Sequence, residues 1–370
     1  MEDGILEHKP DWPRTQERFK AWWNRSRIDR PMLCIQGRRN VPLGPELAVG
    51  KAETPEQSFL DVELKVEQYR EHLRTHWLMA EAFPNLSANL GPGSVALYLG
   101  SEPRFAWDTL WYEECVTDWK SFGDLKYQAA NPWWLRHQQM IRRAVELARG
   151  EFLVSIPDLV ENVDILAALR GPQAMCYDLI DQPELIRQYV SQLDDIYFTY
   201  YDAMYDIVKT PDGGSSYTSF LIWGPGKTAK LQCDFAAMMS PTQFREFVVP
   251  SLRKQCRALD FSLFHLDGPD AVRHLDALME IDELDALQWT PGAGKPDCGG
   301  ECWYPIYDKV RAADKSLWLY LADGDLKDAV SGADKIVERY GPDGLYFPFF
   351  HEMTEDQGDE VIQHAKTHWG

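Results

Sequence analysis

The sequence predicts an α/β protein built as a single (β/α)8 TIM barrel, and three observations carry that prediction. Short apolar and β-branched runs alternate with long stretches of helical periodicity, and eight such units can be counted. Several of the runs are apolar nearly throughout, as in parallel strands covered on both faces. The eight strand candidates are residues 31–37, 77–84, 152–158, 216–223, 261–268, 286–292, 317–323 and 345–350. Parallel strands joined by helices imply right-handed crossovers. A doubly wound open sheet is the alternative, but no strand leads into a Gly-x-Gly-x-x-Gly turn. One domain over 1–370 is expected, with 1–30 as an N-terminal helical extension carrying Trp22 and Trp23. The stretch 101–135 reads as further decoration over the barrel.

The helices announce their starts. Thr54-Pro55-Glu56-Gln57 and Ser240-Pro241-Thr242-Gln243 each supply a hydroxyl cap, a proline at the first helical position and an amide three residues on. Thr354 with Gln357 opens the last helix in the same way. Asp181 with Glu184 predicts the start of a long helix whose inner stripe includes Leu185, Tyr189, Leu193 and Ile196. Gly150, Gly213-Gly214 and Gly341-Pro342 separate helix from strand.

Composition narrows the function classes. Of 370 residues, 45% are hydrophobic, 12% aromatic and 26% charged, which supports a sizeable core and argues against disorder. No run of about 18 apolar residues occurs, and the first residues lack a basic and then apolar signal, so a cytoplasmic protein is expected. With 58 acidic and 38 basic residues the formal charge is −20, a poor match for nucleic acid or an anionic membrane surface. The 7 cysteines are odd in number and scattered, as for reduced thiols. Cys298 and Cys302 have a three-residue gap and read as free loop thiols, with a metal-ligand role for one of them left open.

In a barrel the residues that end strands converge on one face, where chemistry is done. His265 and Asp267 are the sharpest pair. Strand alternation places both on one side, where an imidazole and a carboxylate suit a divalent metal, zinc above all, with His351 as the third ligand. A metal-free His–Asp hydrogen-bonded pair is the alternative. Arg38, followed by Arg39, suits bidentate binding of a carboxylate or phosphate, or else balances an acidic surface. Asp158, Glu161, Gln232 and Gln288 are candidates for orienting a substrate, although Asp158 equally reads as a helix cap. Trp223 and Trp289 are candidates to wall the pocket, and Asp234 and Glu352 to act as acid or base.

The run Ser240-Pro241-Thr242-Gln243-Phe244-Arg245-Glu246-Phe247-Val248-Val249-Pro250, preceded by Asp234 and followed by FSLFHLDG, resembles a segment of the uroporphyrinogen decarboxylase superfamily. The stretch 164–186 is also similar, and the resemblance covers roughly 150–350. It implies a barrel that is either a metal-free decarboxylase or a zinc-dependent methyltransferase working with corrinoid proteins and thiols. The methyltransferases carry His-x-Cys-Gly at the metal, where this chain reads His265-Leu266-Asp267-Gly268, and the late cysteine ligand matches His351. A His, Asp, His set gives a harder, more Lewis-acidic ion than one with thiolates. The functional expectation is thus a zinc-dependent (or other divalent-metal) methyltransferase-like enzyme of C1 or demethylation metabolism acting on a small molecule. The alternatives are a metal-dependent lyase or decarboxylase on a hydroxylated or sugar-like acid, and a non-catalytic partner of a corrinoid protein. No Asp-x-His-x-x-Gly motif is present for carrying a corrinoid itself. A homodimer is compatible with these expectations.

Overall fold

A computed structural model describes residues 6–370. Its strands are β1 (Met32–Arg38), β2 (His76–Ala80), β3 (Asn85–Leu86), β4 (Pro103–Phe105), β5 (Leu110–Tyr112), β6 (Leu153–Val154) and β7 (Ser215–Tyr217). There follow β8 (Ile222–Gly224), β9 (Thr228–Gln232), β10 (Phe261–Asp267), β11 (Ala286–Thr290), β12 (Ser316–Trp318) and β13 (Leu345–Pro348). Seven of them make one sheet in the order β2-β1-β13-β12-β11-β10-β9, parallel throughout except for β2. β3 and β6 form a separate parallel pair. The architecture is therefore α/β, with a mostly parallel central sheet and many helices.

The hydrogen-bonded ladder does not close into the expected barrel. It ends at β2 on one side and β9 on the other. Between those edges stand the short strands β3, β6 and β7, joined by single bonds such as Ile156 N–H to Ser216 O, 2.9 Å. Two strand candidates also resolve differently. Residues 77–84 split into the antiparallel β2 and, after a turn, β3. Residues 216–223 are not a parallel strand but a hairpin, β7–β8, turned at Leu221 with φ of 50°. The parallel strand that follows is β9, with the sequence Thr228-Ala229-Lys230-Leu231-Gln232. Its lysine and glutamine hid it from a search for apolar runs.

The helix starts at Thr54, Ser240 and Thr354 form as the capping residues dictate, the last two as reciprocal capping boxes. Asp181 instead ends the helix Pro172–Asp181, and the long helix Pro183–Val208 begins after Gln182 without a side-chain cap. Tyr189, Leu193 and Ile196 are buried on its inner stripe, with Ile186 taking the place of Leu185.

Two apolar clusters hold the strands in place. The larger runs from Leu33 to Trp369 and packs helices against the sheet. The smaller fills the other face of the sheet at the amino ends of the strands, where the helix Trp12–Trp23 inserts Trp12, Phe19, Trp22 and Trp23. Polar tips on those rings find partners: the Trp23 indole N–H donates to Trp223 O at 2.8 Å, and the Trp22 indole N–H donates to Leu317 O at 3.4 Å. That end is closed, which leaves the carboxyl ends for chemistry. The seven cysteines are unpaired. No helix among the described residues is long and apolar enough to cross a membrane.

Candidate metal centre

Parallel register builds the site row by row. Gln232, His265 and Gln288 are direct neighbours across β9, β10 and β11, followed by Trp318 on β12 and Tyr346 on β13. Two residues further along, at the carboxyl ends, come Asp234 and Asp267. Asp234, His265 and Asp267 each offer a donor atom within 4.8 Å of the others. The two carboxylates reach solvent and the imidazole is half-buried. Like-charged carboxylates held this close raise each other's proton affinity unless a cation lies between them. Accordingly, shielding from water and the Asp267 charge push the Asp234 carboxyl up, against the pull of His265 and Lys230.

Neighbouring side chains aim the three groups. Gln288 Oε1 bonds His265 Nδ1, while Gln288 Nε2 donates to Trp289 O at 2.8 Å and Thr290 Oγ1 at 2.9 Å. With its amide fixed that way, Gln288 accepts from an Nδ1–H tautomer and leaves His265 Nε2 with a free lone pair. Burial and the Lys230 charge lower the His265 pKa, which also keeps the ring neutral and able to bind a metal. Asp164 accepts the backbone N–H groups of Asp234 and Phe235, both at 2.8 Å, and so fixes the short 3-10 turn Asp234–Met238. Burial and the nearby Asp234 raise the Asp164 pKa to about 6.

Below the cluster lies a buried polar network that the residue pattern only half foretold. Lys230, buried on β9, pairs with Asp158 at 2.8 Å and donates to Gln232 Oε1. Gln232 Nε2 donates to Asp234 Oδ2 at 2.9 Å, and Glu161 Oε1 accepts the Gln232 backbone N–H at 2.9 Å. Burial pushes the Glu161 carboxyl well up, favouring the protonated acid despite Lys230. The loop that presents Glu161 has Val160 and Asn162 at φ of 52° and 49°. Such angles are strained for a β-branched residue and concentrate where function demands a fixed side chain. Lys230 itself was missed, although Lys230-x-Gln232-x-Asp234 alternates polar and apolar with the period of a strand.

Five expected site residues lie away from this cluster: Arg38, Trp223, Trp289, His351 and Glu352. His351 contributes no donor atom to any group of three such residues among the described residues, and Asp234 occupies the third place instead. The reason is the turn after β13, which carries Phe349 to Glu352 back toward β1. There His351, Glu352 and Arg38 line a cavity of about 710 Å³ on the same rim. Trp223 is fully buried on β8 and packs edge-on against Trp12 in the closed amino-end cluster, so it walls no pocket. Trp289 is also fully buried and packs on Trp303. Of the two neighbouring thiols, Cys298 is buried and donates to Trp289 O, and Cys302 is exposed; neither joins the cluster.

The fold has a solved counterpart. A methyltransferase from Methanosarcina mazei superposes with a TM-score of 0.60 at 13% sequence identity, over 95% of this chain and 98% of that one. At that identity the likeness establishes the fold alone. No protein-family model matches the chain, and no curated protein matches it in sequence.

Proposed function

We propose that the chain is a metal-dependent, methyltransferase-like enzyme acting on a small molecule at the carboxyl ends of a barrel-type α/β scaffold. The observation that carries this reading is the Asp234–His265–Asp267 cluster, with the imidazole tautomer set by Gln288. The support from outside is the fold shared with a methyltransferase, together with the motif resemblance to the uroporphyrinogen decarboxylase superfamily. One nitrogen and two carboxylate donors fit zinc or a similar divalent ion, with coordination positions left for a substrate. Bound there, such an ion supplies Lewis acidity toward a substrate heteroatom.

The chain's own residues do the rest. Gln288 holds the His265 ring, and Asp164 holds the backbone that presents Asp234. Lys230 and Asp158 form a charge pair beneath the site, and Glu161, its proton affinity raised by burial, accepts the Gln232 backbone N–H beside them. Asp158, Glu161 and Gln232 thus support the floor more than they bind substrate directly. The lyase expectation draws no support from these findings. A corrinoid protein remains the proposed methyl-carrying partner.

The test is methyl transfer, read by mass spectrometry with methoxylated, methylated-amine and methylated-thiol donors and a thiol or corrinoid acceptor. Zinc-loaded protein should transfer a methyl group; chelated protein and His265→Ala should lose at least about 10²-fold, as when one stabilising group is removed from a site. Asp267→Cys, a good zinc ligand, should retain transfer to a thiol. Turnover indifferent to chelation and to His265→Ala would overturn the proposal.

A further inference from the structure

The cavity at the β1–β13 end of the rim is built from different chemistry than the metal cluster. β1 and β2 run antiparallel with Arg38 opposite His76, so the two side chains share a face. His72 stacks on His76 with ring centroids 4.0 Å apart at the end of the helix Val62–Thr75. The segment after β13 closes the other wall. Its approach to β1 needs a glycine at 37, since a Cβ there would sit 2.4 Å from Met353 O and 2.3 Å from Trp77.

Two features point to a ligand. First, both ring nitrogens of His351 are buried and have no hydrogen-bond partner. Imidazole carries a donor and an acceptor or two donors, and burying them unpaired is costly. Secondly, in a protein of charge −20, Arg38 forms no ion pair among the described residues, although its neighbour Arg39 pairs with Glu355 at 3.4 Å. Glu352 is the one acidic residue on the cavity wall, and it is exposed. Phe349, Phe350 and Met353 supply apolar surface beside these donors.

A row of packed rings runs from the cavity toward the metal cluster, with Trp318 buried at its middle. Phe350 lies 6.4 Å from Trp318, Trp318 lies 5.3 Å from Phe220, and Phe220 lies 5.1 Å from His265, all between centroids. We propose that this cavity binds the carboxylate end of a small molecule with an apolar or aromatic body, Arg38 and His351 holding the oxygens and Phe350 and Met353 the body. In the reaction proposed above, it anchors the substrate so that the rest of the molecule lies along Phe350 and Phe220 toward His265. That last step rests on the metal reading; carboxylate binding in the cavity does not.

The experiment uses benzoate as the carboxylate probe and benzamide as its neutral counterpart, followed by NMR of ¹⁵N-labelled histidine rings and by calorimetry. Benzoate should shift the His351 ring signals in both zinc-loaded and chelator-treated protein, and benzamide should bind at least 10-fold more weakly. Arg38→Gln, a change at an exposed side chain, should weaken benzoate about 10-fold or more, and Glu352→Gln should strengthen it. His351→Gln, which keeps hydrogen-bonding groups, should bind more tightly than His351→Ala. Absence of any His351 shift, equal binding of benzamide, or an unchanged affinity in Arg38→Gln would overturn the proposal. Benzoate binding to protein that takes up no zinc would leave this inference standing and remove the metal reading instead.

Discussion

At the scale of single residues, the site turns on what each side chain leaves free for a ligand. His265 is useful because Gln288 occupies its Nδ1 and leaves Nε2 exposed to the cluster. Hydrogen-bond partners behind a metal-binding histidine typically carry 10- to 100-fold in metal affinity. Gln288→Leu, which removes the acceptor, should therefore weaken zinc binding by about that factor in a chelator-competition titration. Gln288→Glu keeps the acceptor and adds charge, and should hold zinc at least as tightly as wild type. Equal affinities in all three proteins would show that Gln288 does not orient the ring. That His265 and Asp267 lie side by side was legible in the sequence because period-two alternation at a strand end is a local property. The placement of His351 was not local: β13 stops at Pro348, the backbone beyond it turns His351 toward β1, and no spacing rule encodes that turn.

At the scale of elements, polar residues mark both what was read and what was missed. β10, β11 and β13 were visible as apolar runs, whereas β9 was hidden by Lys230 and Gln232, the residues that give it a function. The capping boxes at Ser240 and Thr354 were legible because their partners lie within one helical turn. Contacts between helices were not. The long helix Pro183–Val208 is tied to the helix Val249–Ala258 by Ser251, whose hydroxyl donates to the Asp194 carboxylate. Burial raises the Asp194 pKa to about 6, against the opposing effect of that hydrogen bond. The native state then keeps a proton that the unfolded chain releases near its ordinary pKa of 3.8. Stability from this group is thus full at low pH and is lost as pH rises from about 4 to about 6. Urea unfolding at pH 4.5 and pH 7 should show a smaller loss in Asp194→Asn than in wild type. The difference should be about 2 kcal/mol, because a tenfold change in proton affinity is worth roughly 1.4 kcal/mol. An identical pH dependence in the two proteins would contradict the assignment.

At the scale of the whole molecule, one end of the sheet is sealed and the other is open. The helix Trp12–Trp23 plugs the amino ends with aromatic rings, which is why Trp223 serves packing and not a pocket. The α/β class and the parallel strands followed from alternating apolar runs and helical periods; closure of the sheet did not, because β3 and β6 are only two residues long. The open rim presents the metal cluster at β9–β10 and the Arg38–His351 cavity at β1–β13, joined by Phe220, Trp318 and Phe350. The proposed chemistry requires a divalent ion held among Asp234, His265 and Asp267. Anomalous diffraction at the zinc edge, from crystals grown with one equivalent of zinc, tests it most directly. A single strong peak is expected within coordination distance of His265 Nε2 and of a carboxylate oxygen from each aspartate, about 2.0–2.2 Å. A peak at His351 without Asp234, or no peak on the rim at all, would contradict it.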